Sequence, residues 1–325
     1  MSVPWATIRP MAGVLIGSEA VARGVVTRHE LQRWYEPVYP GVYAPKGQQL
    51  SLWRRTEGAW LWSQRRAIVA GVAASALHGA RWVDADIPVE LVWSNTRPPR
   101  GIVAREQLLA DDEATRVAGL PVTTPARTAY DLGRYLPRGQ AVARLDALMR
   151  ATPFSTEDVL LLAKRYPAAR GIRRLRSVLQ LVDGGASSPK ETWLRLLIID
   201  AGLPTPITEL PIVERYRTLA MLDMGWRDFG VAVECDGDLG APPACGGHRS
   251  DRRQYVKDQW RLRKLADLGW IIVRVIAEDK PEDVIERVRR ALHARGWRPA
   301  HFVESVNLQT FTRALSADLQ ARETG

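Results

Sequence analysis

The sequence is poor in cysteine and has no long apolar run. Only two cysteines, Cys235 and Cys245, occur among its 325 residues, which excludes a disulfide framework and a zinc site built from the usual cysteine sets. The longest apolar run, Ala67–Leu77, is well short of the ~20 residues that a membrane-spanning helix needs. The segment Met1–Pro10 lacks the charged and then apolar layout of a secretion signal. These absences predict a cytoplasmic protein with no membrane partner.

Acidic residues are outnumbered by basic ones. The chain contains 46 Lys and Arg against 36 Asp and Glu, which gives a formal net charge of +10 at pH 7. Such a balance favours a polyanionic partner, and nucleic acid, DNA in particular, is the leading candidate. The length is sufficient for two or three domains with buried cores.

Three carboxylates cluster in two short strand-like segments within LAMLDMGWRDFGVAVECDG, which begins at residue 219. Asp223 ends the first apolar segment, and Glu234 and Asp236 lie in the second. Because side chains alternate along a strand, Glu234 and Asp236 share a face, where they repel each other unless a cation lies between them. Mg²⁺ is typically held by one or two carboxylates together with water and substrate phosphate, and Mn²⁺ is an alternative. Asp223 and Asp236 could instead be turn-forming residues at strand ends.

A basic helix is predicted from Asp251 to Leu268, before the stop at Gly269. Its apolar positions are Val256, Leu262, Leu265 and Leu268. A stripe of basic residues, Arg253, Lys257, Arg261 and Lys264, occurs at helical spacing on the predicted opposite side. These four side chains are candidate phosphate contacts. The alternative is a solvated face with no ligand.

The block Ser188–Arg295 resembles the bacterial domain of unknown function 559, which is related to the very-short-patch-repair endonuclease of the restriction-endonuclease-like PD-(D/E)XK fold. The segments that carry the resemblance are SPKETWLRLLIIDAGLP, LDMGW, VAVECDGD, HRSDRRQYVKD and LGWIIVRV. The resemblance implies a central mixed sheet flanked by helices and a magnesium-dependent endonuclease activity.

The same resemblance implies roles for individual residues. Asp223 and Glu234 correspond to metal ligands, Asp236 occupies the place where the fold usually has lysine, and His248 is a candidate general base. In the family the histidine follows DGD by a residue or two, whereas here LGAPPACGG separates Asp238 from His248. This insert is a predicted loop.

The segment Met11–Pro45 is predicted to form two short helices followed by a β-wing. The first helix is expected to end at Gly24, and Thr27–Glu30 is a capping box that begins the second. This order resembles a winged helix-turn-helix. The residues available to a DNA groove on the second helix are then Arg28, His29, Gln32 and Arg33. The alternative is a small helical cap without nucleic-acid contact.

The region Trp53–Arg150 has a mixed α/β pattern. A helix is predicted over AIVAGVAASALHGA, a strand over IPVELVW, and a further helix with Thr124 as its N-cap and Pro125 at its first position. Together with the first segment, this region resembles the amino-terminal half of type IV abortive-infection antitoxins, which implies a toxin partner. His78 and Asp131 are expected to cap or pack rather than to catalyse.

The remaining segments set the domain boundaries. Two helices are predicted over Thr152–Asp183, and GGASS, Gly184–Ser188, is a predicted linker. Ser188 then begins the nuclease-like domain as an N-cap, with Glu191 completing a capping box. The endonuclease resemblance gives Glu191 an alternative role near the metal, as a catalytic residue.

The predicted fold class is therefore α+β. We expect a winged-helix-like segment at residues 1–50, an antitoxin-like region at 51–183, a restriction-endonuclease-like domain at 188–300 and a tail at 301–325. Two functional hypotheses remain open. One is a metal-dependent DNA endonuclease, and the other is an antitoxin-type DNA-binding regulator whose nuclease-like domain is inactive. The oligomeric state is unknown.

Overall fold

A computed structural model describes residues 13–95, 97–214, 216–235, 248–276 and 278–299, apart from the side chains of 248–255 and 258. By its internal contacts the chain divides into two compact units, Met1–Leu196 and Leu197–Gly325, called unit 1 and unit 2 below. The combination of helices with separate sheets agrees with the predicted α+β class. No helix in the described ranges combines the length and apolar character needed to cross a membrane.

Unit 1 begins with two short helices and a small antiparallel sheet of order β1-β3-β2. Its elements are β1 (Leu15–Ile16), α1 (Gly17–Ala22), α2 (Arg28–Trp34), β2 (Tyr35–Tyr39) and β3 (Val42–Pro45). The predicted first helix included Val14 to Ile16, but the helix begins at Gly17 because the two residues of β1 pair with β3. The order of two helices and a hairpin is as expected from the sequence.

The capping box of α2 is confirmed. The hydroxyl of Thr27 accepts a hydrogen bond from the backbone N–H of Glu30 at 3.1 Å, and the carboxylate of Glu30 accepts one from the N–H of Thr27 at 2.7 Å. These two bonds satisfy backbone donors that the first turn of a helix otherwise leaves without partners. No residue of α2 is buried.

A five-stranded mixed sheet of order β6-β5-β4-β8-β7 follows. Its elements, with the helices between them, are α3 (Leu52–Trp62), β4 (Ile68–Ala70), α4 (Gly71–Leu77), β5 (Val89–Val92), β6 (Ile102–Arg105), β7 (Ala114–Val117) and β8 (Leu120–Thr123). The pairs β4–β8 and β5–β6 are parallel, and β4–β5 and β7–β8 are antiparallel. Fully buried Val69, Val89, Leu91 and Val122 form its core.

The helix predicted over AIVAGVAASALHGA is wrong in its first part, because Ile68–Ala70 forms β4. The β-branched Ile68 and Val69 pair with β5 and are suited to a sheet. Gly71 then begins α4 with φ of +60°, a conformation that disfavours other residues, and a Cβ there would overlap the carboxylate of Glu90.

Five helices complete unit 1 and lead into unit 2. They are α5 (Pro125–Tyr135), α6 (Arg138–Ala151), α7 (Thr156–Arg165), α8 (Ile172–Leu179) and α9 (Pro189–Asp200). The predicted start of α5 is confirmed, since the hydroxyl of Thr124 accepts the N–H of Arg127 at 3.3 Å. The two helices predicted over Thr152–Asp183 correspond to α7 and α8. Buried Leu145, Leu148 and Leu175 belong to the core that these helices form.

The division between the units lies inside α9 rather than at the predicted linker, Gly184–Ser188. The reason is that the first half of α9 is bound to α6. The buried carboxylate of Asp146 accepts hydrogen bonds from Thr192 at 2.8 Å and from Arg195 at 2.7 Å, and also from the backbone N–H of Asp183 at 2.7 Å. The residues on both sides of the predicted linker are therefore anchored in unit 1.

Unit 2 contains a four-stranded mixed sheet of order β12-β11-β10-β9. Its elements are β9 (Ile207–Glu214), β10 (Arg217–Trp226), β11 (Val231–Cys235), α10 (His248–Asp267), β12 (Ile271–Val275) and α11 (Pro281–Ala294). The strands β9, β10 and β11 are antiparallel neighbours, while β12 is parallel to β11. Leu210, Leu222 and Leu265 are fully buried in its core. A mixed sheet accompanied by helices is as expected for this part of the chain.

Candidate functional site

The structure places two of the predicted carboxylates on neighbouring strands of unit 2. Asp223 lies on β10 and Glu234 on β11, and continuing the Met224–Val233 register by one residue sets them opposite each other. Directly opposite residues of an antiparallel pair lie on the same face of the sheet. One oxygen of Asp223 accepts the backbone N–H of Cys235 at 2.7 Å. This hydrogen bond helps to fix the Asp223 carboxylate beside β11.

The carboxylate of Glu234 is bound by Arg261 of α10. Nη1 lies 2.8 Å from Oε1, and Nη2 donates to Oε2 at 3.1 Å. Such a two-point contact occupies both oxygens of the carboxylate. Glu234 is 8% exposed, so the pair is partly shielded from water. The residue predicted as a metal ligand and the residue predicted as a phosphate contact are thus bound to each other.

Asp236 and His248 are the other predicted members of this site. Asp236 lies outside the described residues, and His248 begins α10 without a described side chain. Among the side chains that the structure does describe, no group of three or more His, Cys, Asp or Glu is arranged to hold a metal ion. The two carboxylates that the structure does describe here, those of Asp223 and Glu234, both accept hydrogen bonds from protein groups.

The orientation predicted for α10 is correct only in part, since Leu262 is half-buried and Leu265 is buried but the other two apolar positions are exposed. Leu265 is fully buried, as expected, but Val256 and Leu268, also predicted as apolar-face positions, are 57% and 41% exposed. Arg261 and Lys264 are turned toward carboxylates of the sheet instead of away from it, and Lys264 lies 3.1 Å from Glu214 of β9. The helix is rotated so that two cations of the predicted stripe form ion pairs within unit 2. Of the other two, Lys257 is exposed, and the side chain of Arg253 is not described.

Glu191 has the partners of a capping residue. Its N–H donates to the hydroxyl of Ser188 at 3.2 Å, as predicted, and its carboxylate accepts the N–H of Ser187 at 2.8 Å. In a capping box with Ser188 as the N-cap, this carboxylate would accept the N–H of Ser188, so that part of the prediction is wrong by one residue. The hydroxyls of Ser187 and Ser188 also donate to this carboxylate. These contacts are those of a capping residue at the N-terminal turn of α9.

The predicted DNA-contacting residues of α2 are all on the surface. Arg28, His29, Gln32 and Arg33 are exposed, and Trp34 beside them is 45% exposed. The guanidinium carbon of Arg33 lies 4.8 Å from the centre of the Trp34 ring, within the range of a cation–π contact. This helix therefore presents cationic and hydrogen-bonding side chains to solvent.

A buried charge network in unit 1 was not predicted from the sequence. Arg127, only 2% exposed, donates through Nε to Asp131 at 3.0 Å and through Nη1 to Glu113. Arg134 donates to the other oxygen of Asp131 at 3.1 Å, and Arg165 donates to Glu113 at 2.6 Å. The helical spacing of Arg127, Asp131 and Arg134 could have indicated their ion pairs. Nothing in the sequence indicates that Glu113 is a further partner.

Burial has opposite effects on the charged groups of this network. It raises the pKa of Asp131, against the neighbouring Arg127 and Arg134 guanidinium groups, which lower it. Burial lowers the pKa of Arg127, but the carboxylates of Asp131 and Glu113 outweigh this, and the pKa rises. Arg127 therefore remains a cation although it is desolvated.

His78 and Asp131 have the structural roles expected of them. His78 is the C-cap of α4, and its Nε2 lies 2.8 Å from the carbonyl oxygen of Thr123. The hydroxyl of Thr152 donates to the carbonyl of His78 at 2.6 Å. Asp131 joins two arginines, as described above. Both side chains are engaged in packing the antitoxin-like region.

Comparison with known proteins gives a family match for part of the chain. Residues 64–181 match the model of the AbiEi antitoxin C-terminal domain. The match supports the antitoxin-like resemblance, although the sequence had suggested the amino-terminal half of such antitoxins. It spans β4 to α8 and therefore includes the buried charge network. It does not extend to the segment predicted to be nuclease-like, and the endonuclease resemblance is not confirmed.

Two curated relatives come from Mycobacterium tuberculosis. The uncharacterized protein Rv2248 of strain H37Rv and the uncharacterized protein MT2308 of strain CDC 1551 are each 29% identical over 261 residues, which cover 78% of this chain and 91% of theirs. Among solved structures, the RV2827C protein of the same organism matches 62% of this chain and 80% of its own, with 18% identity and a TM-score of 0.37.

Proposed function

We propose that the protein is a DNA-binding regulator of antitoxin type. The observation that carries this proposal is the match of residues 64–181 to the AbiEi antitoxin C-terminal domain. The exposed basic helix α2 lies in the same unit of the chain and precedes the matched region. In this proposal α2 binds duplex DNA, the matched region carries the antitoxin function toward a toxin partner, and unit 2 has no catalytic activity.

The chemistry of α2 suits a DNA groove. Arg28 and Arg33 can donate to phosphate oxygens or to guanine edges, and Gln32 can form paired hydrogen bonds with adenine. The net charge of +10 supplies a general attraction for polyanions. Phosphate contacts release counterions, so binding should weaken steeply as salt concentration rises.

The test is a fluorescence-anisotropy titration of duplex DNA from the region upstream of the protein's own gene, at several salt concentrations. Replacing Arg28 and Arg33 by alanine should reduce the slope of log K against log salt by about 2. The matched control is a double variant of α10, Arg261→Ala with Lys264→Ala, which removes two cations that are paired with carboxylates. An affinity that does not change with salt, or a slope altered only by the α10 variant, would refute the role of α2.

A metal-dependent DNA endonuclease is the second candidate, favoured by the placement of Asp223 and Glu234 on neighbouring strands. Both are of the ligand type that Mg²⁺ and Mn²⁺ prefer, and they would hold the metal together with Asp236. When bound, the ion would supply Lewis-acid polarisation of a phosphodiester. His248 would be the general base, and Arg253 and Lys257 would be phosphate contacts. Glu234 would first have to be released from Arg261.

Plasmid cleavage assays with Mg²⁺, with Mn²⁺ and with EDTA separate the two candidates. We expect no cleavage in any of the three. A nuclease would cleave with metal and not with EDTA, and the substitution Glu234→Gln would abolish this cleavage while leaving DNA binding intact. Melting temperatures with and without Mg²⁺, for the native protein and the variant, give a readout independent of activity. Stabilisation of the native protein alone would favour the endonuclease.

A further inference from the structure

Unit 1 contains a cavity of about 400 Å³ that borders the buried charge network. The volume lies within the range of roughly 300–1,000 Å³ that is usual for small-ligand sites. Three guanidinium groups and three phenol rings line it, and they belong to Arg127, Tyr130, Arg134, Tyr135, Arg165 and Tyr166. Such a wall can form charged hydrogen bonds and can also pack against a ring.

The lining has a clear charge asymmetry. Arg127, Arg134 and Arg165 border the cavity, whereas none of the residues that line it is acidic. The carboxylates that bind these arginines belong to the surrounding structure and not to the lining. The charged groups of the lining are therefore all cationic, while the carboxylates that bind them, those of Asp112, Glu113 and Asp131, lie outside it. An anion is the favoured occupant.

Two buried donors of the lining have no hydrogen-bond partner among the described residues. They are the hydroxyl of Tyr130, which is 1% exposed, and Nε of Arg134, which is 6% exposed. Burial raises the pKa of Tyr130, although Arg134 and Arg127 oppose this shift, so the phenol keeps its proton at neutral pH. A buried polar group without a partner is costly. Neither atom has accessible surface in the ligand-free cavity, so a ligand with acceptor oxygens would relieve this cost once these side chains turn toward it.

Arginine side chains stack on the tyrosine rings of the lining. The guanidinium carbon of Arg134 lies 4.3 Å from the ring centre of Tyr130 and 4.6 Å from that of Tyr135, and Arg127 lies 5.5 Å from that of Tyr166. Because these contacts already restrict the tyrosine rings, the protein would lose little side-chain freedom when a planar ligand ring binds. Aromatic stacking and anion recognition are thus available in one cavity.

We propose that this cavity binds a small organic anion that carries a planar ring. A nucleoside monophosphate and an aromatic carboxylate share this chemistry, with acceptor oxygens for Tyr130 and the arginines and a ring for the tyrosines. The proposal is independent of DNA binding by α2 and of the carboxylates in unit 2. It makes the antitoxin-like region a ligand-binding domain.

The test uses isothermal titration calorimetry on the full chain with two panels of probes, nucleoside monophosphates and aromatic carboxylates. The controls are inorganic phosphate, which lacks the ring, and free nucleosides, which lack the negative charge. We expect at least one ring-bearing anion to bind about tenfold more tightly than either control, because two kinds of contact are lost separately. The panel that binds identifies the source of the anion. Failure of every ring-bearing anion to bind would overturn the proposal.

The substitution Tyr130→Phe gives a sharper test, because it removes a hydroxyl without a protein partner. It should leave the melting temperature of the ligand-free protein unchanged or higher, and should weaken ligand binding by about tenfold. Tyr39→Phe is the matched control, since Tyr39 is 4% exposed in the same unit but does not line the cavity. Equal affinity in the native protein and Tyr130→Phe, or an equal loss in Tyr39→Phe, would count against the site.

Discussion

Two of the arginines that bind carboxylates in this protein, Arg127 and Arg261, do so under very different conditions. Arg127 of unit 1 is 2% exposed and donates to Asp131, to Glu113, to the side chain of Gln107 at 2.6 Å and to the carbonyl of Leu108 at 3.1 Å. The side chain of Arg261 of unit 2 is 33% exposed, and it binds Glu234. The first arginine belongs to a desolvated network, and the second lies where water screens it.

This difference in burial predicts which of the two ion pairs contributes more to the stability of the fold. Charges removed from water are tolerated only when every partner is present, so removing one leaves the others uncompensated. A partly exposed pair contributes little, because solvent replaces the lost partner. Three substitutions test this comparison, and they are presented from the largest expected effect to the smallest.

Replacing Arg127 by methionine should have the largest effect. Methionine fills much of the same space but leaves Glu113 and Asp131 buried without their shared cation. We expect a loss of about 3–5 kcal/mol in the free energy of unfolding of unit 1. Urea unfolding combined with hydrogen exchange of residues 107–166 would measure it. The control is Arg165→Met, because Arg165 also binds Glu113 but its own side chain is 43% exposed. An equally large loss of stability in the control would contradict the role of burial.

The local pattern of the sequence predicted a good part of this architecture. Capping residues placed the starts of α2 and α5 correctly, because the hydrogen bonds that begin a helix involve residues three apart. The strand predicted over IPVELVW is present as β5, and the strand-like segments around Asp223 and Glu234 are present as β10 and β11. Helices and strands that are determined by residues close together in the chain could therefore be predicted from the sequence.

What could not be predicted depends on contacts between distant segments. Ile68–Ala70 was assigned to a helix because it begins a run rich in small residues, and its pairing with β5 is a contact between distant segments. The rotation of α10 depends on Glu234 and Glu214, which attract Arg261 and Lys264 toward the sheet. The candidate cavity likewise depends on Glu113, which is brought to Arg127 by tertiary structure alone. Sequence spacing within one helix carries no information about such partners.

Asp146 provides a second test of burial within unit 1, through pH. Burial raises the pKa of Asp146 from 3.8 to about 6, despite the opposing effects of Arg195, the Asp183 N–H and Thr192. The folded state therefore binds a proton more readily than the unfolded state between these values. The contribution of this group to stability is complete below the lower value and is lost as the pH rises through the higher one. From about pH 4.5 to about pH 7 the loss should be about 2 kcal/mol.

The substitution Asp146→Asn removes the proton equilibrium and should remove this part of the pH dependence. Absolute stability should also fall, because Arg195 loses its charged partner, so the informative quantity is the difference between the two pH values. Asp86→Asn, at an exposed position, controls for the general loss of an acidic charge. An unchanged pH profile in Asp146→Asn would show that Asp146 is not the titrating group.

Replacing Arg261 by methionine should have the smallest effect and is the most informative about unit 2. Because the pair is partly exposed, we expect the free energy of unfolding to fall by about 1 kcal/mol or less.

The substitution also leaves the Glu234 carboxylate without its guanidinium partner, next to Asp223, so that a cation could take its place. If unit 2 has no metal function, Mg²⁺ should not change the melting temperature of either the native protein or the variant. The double variant Arg261→Met with Glu234→Gln is the control. Stabilisation of Arg261→Met by Mg²⁺, lost in the double variant, would show that Arg261 blocks a metal site and would favour the endonuclease.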